Sequence, residues 1–205
     1  GATSVVAAID AVEVLHVAVD FESEPGRSPV SGIALVTDEA AGEVLWVGVD
    51  LLAEPTVSAA LGGHSRLRMH RAKDAMRSLL PVGIDLRGLE LDLAIAAYLV
   101  DPVVGDYEIP DLVDRFTDRS LGERRVVPSG QLDLGGADED RAQSAGDAAL
   151  AVARCAAPIL AAVDEVGASK LLDEIESPLV RVLARVEHLG MEVDVDALRE
   201  IGARL

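Results

Sequence analysis

Apolar positions recur along the chain in two rhythms, and the change of rhythm separates expected strands from expected helices. Val14–Glu22 (VLHVAVDFE), Val30–Thr37 (VSGIALVT) and Glu43–Val49 (EVLWVGV) are apolar, β-branched runs parted by segments rich in Gly, Pro, Asp and Glu. Three such runs at short spacing predict an antiparallel meander. A short run at Arg66–His70 follows, then a helix over 72–80 that Pro81 and Gly83 end. Gly88–Leu91 predicts a short strand feeding a helix over 92–100, which stops at Asp101-Pro102. Ile109–Phe116 reads as a short helix, and the polar, Gly-containing stretch Thr117–Asp138 as a mobile loop. A long helix over 139–163 carries Ala149, Val152 and Cys155 on its apolar face. A second, over 169–189, has Leu171, Leu172, Ile175, Leu179, Val182, Leu183 and Val186 at helical spacing, with Gly190 as its cap. Val193–Val195 leads into a last short helix. This order predicts an α/β arrangement around a mixed sheet. The final segment has an apolar helix face and little to bury it, as expected for the start of a further domain.

Composition narrows the function. With 205 residues, half of them hydrophobic, the chain can bury one sizeable core. A net charge of -18 excludes a general nucleic-acid clamp, so any phosphate contact must be local or carried by metal ions. The single cysteine, Cys155, excludes an internal disulfide and a thiolate-rich metal site, and four histidines argue against a histidine-built zinc site. Aromatics at 2% argue against base-stacking on single strands. Gly1–Ile9 lacks a basic leader, and the most apolar stretch, Ala148–Val163, contains Arg154 and Pro158 and is short for a bilayer. The expectation is a soluble, cytoplasmic, monomeric protein without membrane contact.

Asp20 and Glu22 stand two apart at the end of an apolar strand, so strand alternation predicts both carboxylates on one face. Such a pair, joined by further acids, can hold two divalent cations about 3.5–4 Å apart for phosphodiester hydrolysis. Mg²⁺ and Mn²⁺ prefer oxygen ligands of this kind. The same spacing recurs at Glu90/Asp92, Glu174/Glu176 and Asp194/Asp196, so spacing alone favours ordinary surface carboxylates over a metal site. The most basic segment, HSRLRMHRAK (His64–Lys73), could meet phosphates but is expected to balance nearby acids. Arg115, Arg119, Arg124 and Arg125 flank the long loop as exposed charge. Tyr98 and Trp46 are expected in the core, Cys155 as an inert buried thiol, and Asp92 as a helix N-cap.

Two longer stretches carry a resemblance. HRAKDAMRSLLPVGIDLRGLELDLAIAAYLVDP (His70–Pro102) resembles the middle of the 3′→5′ exonuclease domain of bacterial DNA polymerase I, and LLDEIESPLVRVLARVEHLGMEVD (Leu171–Asp194) resembles the start of that family's polymerase domain. The resemblance implies a ribonuclease H-like 3′→5′ exonuclease fold over residues 1–165 and a helical start of the polymerase domain over 166–205. It implies a parent DNA-directed DNA polymerase acting in replication and repair, DNA as a partner through that parent, and the polymerase domain as a partner in cis. It also implies metal ligands at Asp20, Glu22, Asp74 and Asp147, which would bind two Mg²⁺ or Mn²⁺ if the site is active.

The supporting residues depart from the family. Gln143 stands where the family has a water-orienting Tyr, His70 where it has an Asn, and Lys73 where it has an aromatic. The first motif runs Asp20-Phe21-Glu22-Ser23-Glu24-Pro25-Gly26 without an apolar wedge, and the loop after it is short. Positioning and proton transfer each contribute powers of ten, on the order of 10²–10⁴ for one proton-transfer group. These losses favour a degenerate module that needs no cofactor and braces the polymerase. The alternative is an active two-metal proofreading nuclease.

Overall fold

The computed structural model describes residues 1–117, 137–190 and 192–204. The expected loop over 117–138, with Arg119, Arg124 and Arg125, falls almost wholly outside the described residues. The chain opens with α1 (Ala2–Asp10), then β1 (Leu15–Phe21), β2 (Val30–Asp38) and β3 (Glu43–Gly48). Two helices, α2 (Val49–Leu52) and α3 (Pro55–Gly63), lead to β4 (Leu67–Met69) and α4 (Ala72–Leu79). Then come β5 (Leu89–Asp92), α5 (Leu93–Val100), α6 (Ile109–Phe116) and the long α7 (Ala137–Glu165). The last helices are α8 (Ser169–Leu171), α9 (Ser177–Leu189) and α10 (Val195–Arg204).

The five strands lie in the order β3-β2-β1-β4-β5. β1–β2 and β2–β3 pair antiparallel, whereas β1–β4 and β4–β5 pair parallel, so the sheet is mixed as expected. Strand alternation sorts β2 onto two faces. Ile33 and Leu35 join the core formed with α1, α3 and α4, and Ala34 and Val36 join a core under α7. The α7 side is built from small residues, Ala34, Ala145, Ala149 and Ala153, with Ala18 against them. Small side chains let this helix lie close to the sheet. By length and composition α7 could cross a membrane, yet half of its most apolar window is buried inside the fold.

Two expectations change, and three helices appear that the sequence did not announce. α1, α2 and α3 were not legible as helices. Burial of Val5, Ile9, Leu52, Val57 and Leu61 in the main core overrides their weak helical signals, which include β-branched residues and a Gly-Gly end. Tyr98, expected in the core, is 51% exposed and meets Tyr107 edge to face, with ring centroids 6.1 Å apart. The helix expected over 169–189 is interrupted by a π-helical turn at Leu172–Glu176, just before Pro178. Proline has no N–H for the regular ladder, and the wider turn accommodates the break.

Candidate functional site

β1, β4 and β5 run parallel, so their C-terminal ends share one edge of the sheet. In parallel sheets this edge is where ligands bind. Asp20 ends β1 there, α4 starts there with Asp74 in its first turn, and Asp92 ends β5 there. The edge therefore holds the right residue types. What they can do depends on where each carboxylate points and what it meets.

Asp20 lies in β1 opposite Gly32 of β2, and the pairing shifts register at Asp20/Phe21. Its Oδ2 is buried and accepts no hydrogen bond among the described residues. The nearest cation is the Arg141 guanidinium of α7, at 3.6 Å from that oxygen. Arg141 also donates a 2.7 Å hydrogen bond to Ser31 Oγ on β2, which holds the guanidinium over the strand end. Glu22 lies beyond the strand. Its N–H donates to the Pro29 carbonyl at 3.0 Å and its side chain is exposed. It lines an open cleft with Ser31, Trp46, Asp50 and Arg141.

Asp74 is covered differently. Gly26, at φ 75°, packs straight onto it: a Cβ at Gly26 would stand 2.9 Å from Asp74 Oδ1 and 3.2 Å from its Cα. Only glycine adopts this conformation cheaply and leaves room for the contact. The loop is pinned from within by Ser23 N–H donating to Ser28 Oγ at 3.1 Å. It is pinned from outside by Ser78 Oγ of α4 donating to the Ser28 carbonyl at 2.8 Å. The short loop noted in the sequence therefore lies down on α4 beside Asp74.

Asp147 and Gln143 are exposed on α7 and bond each other, Gln143 Nε2 donating to Asp147 Oδ1 at 3.0 Å. The residues that face the sheet are Arg141 and the buried Ala145, two positions earlier. Two positions correspond to about 200° around an α-helix. Gln143 and Asp147, which the resemblance assigns to the site, are thus exposed here and not on the face toward the sheet. Arg141 and Ala145 hold that face, because the apolar stripe Ala145–Ala149–Val152 fixes the rotation of the helix. This stripe was the signal to extend backwards to Arg141.

The expected gathering of Asp20, Glu22, Asp74 and Asp147 does not occur. Among the described residues, no three His, Cys, Asp or Glu side chains are grouped to hold a metal ion. Divalent Mg²⁺ or Mn²⁺ needs several converging oxygens, and a guanidinium beside Asp20 opposes a second positive charge. The donor set does not fit a two-metal centre.

The basic segment is neutralised by carboxylates, as its balancing reading expects. Arg66 and Arg68 share Glu90 at 2.8 and 2.6 Å, Arg71 pairs with Glu108, and Lys73 reaches Glu187 at 2.9 Å. Burial pushes Glu90 upward, but hydrogen bonds from Arg68 and Arg66 outweigh it and hold the carboxyl below its ordinary value. His16 faces this group, with its Nε2 buried and unbonded among the described residues. Burial, helped by Arg68 and partly opposed by Glu90, lowers its pKa to about 4. His70 is bonded through Nε2 to the Tyr107 carbonyl at 2.7 Å. Cys155 is buried, which raises its pKa to about 11 and leaves an unreactive thiol. Asp92 caps α5 as expected, its side chain accepting from Ala94 and Ile95.

No family model matches the chain. Curated relatives do. It is 30% identical over 189 residues to DNA polymerase I of Geobacillus stearothermophilus, covering 87% of this chain and 20% of that protein. It is 33% identical over 171 residues to DNA polymerase I of Mycobacterium tuberculosis, covering 82% of this chain and 17% of that protein. The chain spans a fifth or less of the length of these relatives. Among solved structures it is similar to the POL domain of Pol1 from M. smegmatis in complex with DNA primer-template and dNTP. That match has a TM-score of 0.76 and 27% identity, and covers 99% of this chain and 33% of that one.

Proposed function

We propose that this chain is the exonuclease-like module of a DNA polymerase I, that its nuclease site has degenerated, and that it serves as a platform for the polymerase. The similarity to DNA polymerase I over most of the chain supports the parent activity, DNA synthesis in replication and repair, with DNA as a partner reached through that parent. The mixed sheet in the order β3-β2-β1-β4-β5, with β2 antiparallel to β1, supports the ribonuclease H-like exonuclease fold.

The observation that carries the degenerate reading is the arrangement at the β1 end. Arg141 stands against Asp20, Gly26 covers Asp74, and Asp147 is exposed on α7 and bonded to Gln143. Among the described residues, no three ligating side chains converge as two-metal hydrolysis requires.

The platform reading rests on α9. Its inner side is fixed to the body by buried Val180 and Ala184 and by ion pairs. Arg181 meets Asp85 at 2.5 Å, and Glu187 meets Lys73 and Arg77 at 2.9 and 2.8 Å. Its outer side leaves Leu179, Val182, Leu183 and Val186 between 40% and 53% exposed. A helix held rigidly by one side, with an apolar stripe on the other, suits the task of carrying further chain. Residues 166–205 in this reading begin the polymerase part.

The test is digestion of a 3′-end-labelled, mispaired primer by this chain joined to its polymerase, in Mg²⁺ and in Mn²⁺. The expected result is no 3′ trimming above that of an Asp20→Ala variant. Metal-dependent trimming that Asp20→Ala abolishes would establish the proofreading nuclease instead.

A further inference from the structure

Resting on the degenerate reading, we infer that Arg141 is a tethered counter-ion for Asp20: the guanidinium supplies, from within the chain, the positive charge that a bound divalent cation would supply. Asp20 Oδ2 is buried at a strand end and accepts no hydrogen bond among the described residues. The side chain as a whole is 22% exposed, so it is this one oxygen that burial strips of water and that a nearby positive charge compensates. Lys73, Arg71 and Arg68, the cations of neighbouring β4 and α4, are each engaged by Glu187, Glu108 or Glu90. Among the described residues, Arg141 is the cation paired with Asp20, at 3.6 Å.

The placement has local causes. Arg141 lies four residues before Ala145, on the same stripe of α7 that packs on the sheet. Ala145 is small, so the helix approaches β1 and β2 closely enough for the guanidinium to reach over their ends. Ser31 then accepts a hydrogen bond from the same nitrogen that faces Asp20. The carboxylate is thereby held by a fixed, monovalent, non-exchangeable cation. Arg141 lines the cleft beside it together with Glu22 and Asp50, so the positive charge stands within that acidic cleft.

A double-mutant cycle with a metal arm tests this on the 205-residue chain. Arg141→Ala is expected to lower the melting temperature by roughly 2–4 °C, the size of one partly exposed ion pair in a domain of this length. Arg141→Lys is expected to keep most of the stability, and adding Asp20→Asn to Arg141→Ala is expected to restore it, because a neutral amide needs no counter-ion. Millimolar Mn²⁺ is expected to raise the melting temperature of Arg141→Ala more than that of the unaltered chain, and Asp20→Asn to remove that gain. Strictly additive effects of the two substitutions, with the unaltered chain silent to Mn²⁺, overturn the counter-ion role and leave the degenerate reading standing. Asp20-dependent Mn²⁺ binding by the unaltered chain overturns the counter-ion role too, and with 3′ trimming by the chain joined to its polymerase it overturns both.

Discussion

Asp92 and Asp20 end two parallel strands at the same edge of the sheet, and the fold treats them in opposite ways. Asp92 is 2% exposed and accepts hydrogen bonds from the backbone N–H groups of Arg71, Ala72, Ala94 and Ile95, joining the starts of α4 and α5. Among the described residues, Asp20 has one oxygen buried without a hydrogen bond and meets one side-chain cation at a longer distance. The first carboxylate is held by fixed backbone dipoles that fold formation itself aligns. The second is held by a side chain that one substitution can remove or replace. The difference teaches which acid is built into the fold by backbone groups and which depends on one replaceable side chain.

The comparison breaks most sharply at Asp92. Asp92→Ala leaves several buried N–H groups unpaired and removes a cap, and is expected to cost about 3 kcal/mol, or roughly 6–12 °C in melting temperature. Thermal unfolding followed by circular dichroism measures it, and a shift under about 2 °C would show that the two helix starts do not depend on this carboxylate. A smaller effect is expected at His16, which lies on β1 opposite Arg68. Its pKa of about 4 in the folded chain is below the ordinary 6.5, so the unfolded chain binds more protons between those values. Stability should therefore rise with pH from about 4 to 6.5, and His16→Leu should flatten that part of the curve in denaturant titrations run at several pH values. An unchanged slope would place the pH dependence elsewhere. The smallest effect belongs to Asp147. It is exposed and bonded to Gln143 among the described residues, so its replacement by Ala should change stability by no more than about 0.5 kcal/mol. It should also leave any Mn²⁺ response of the Arg141→Ala variant untouched, and a loss of that response would return Asp147 to the site.

Much of this was legible along the chain. The first three strands follow from apolar, β-branched runs between turn residues, whereas β4 and β5 lack β-branched residues and show only as short runs. Asp92 is readable as a cap because it stands directly before an apolar helical run, and the carboxylate needs only neighbouring N–H groups to act. The helices between β3 and β4 were not readable, since Val57 and Leu61 fold into a helix only when the sheet is there to bury them. Gly26 gave no local sign of its role either. Its contact with Asp74 joins positions far apart in sequence, and only the folded loop creates it.

The periodicity of α9 shows the same limit from another side. Leu179, Val182, Leu183 and Val186 announce a helix, and a helix forms, but the face they make points outward while Val180 and Ala184 pack inward. In α7 the sequence by itself determined the helix and supplied both Arg141 and Asp147. Which of them meets Asp20 was decided by tertiary structure, because rotation about a helix axis is fixed by what packs beneath it. Ala145, Ala149 and Ala153 fit the small-residue surface of β1 and β2, and that fit turns Arg141 toward the strand end and Asp147 toward water.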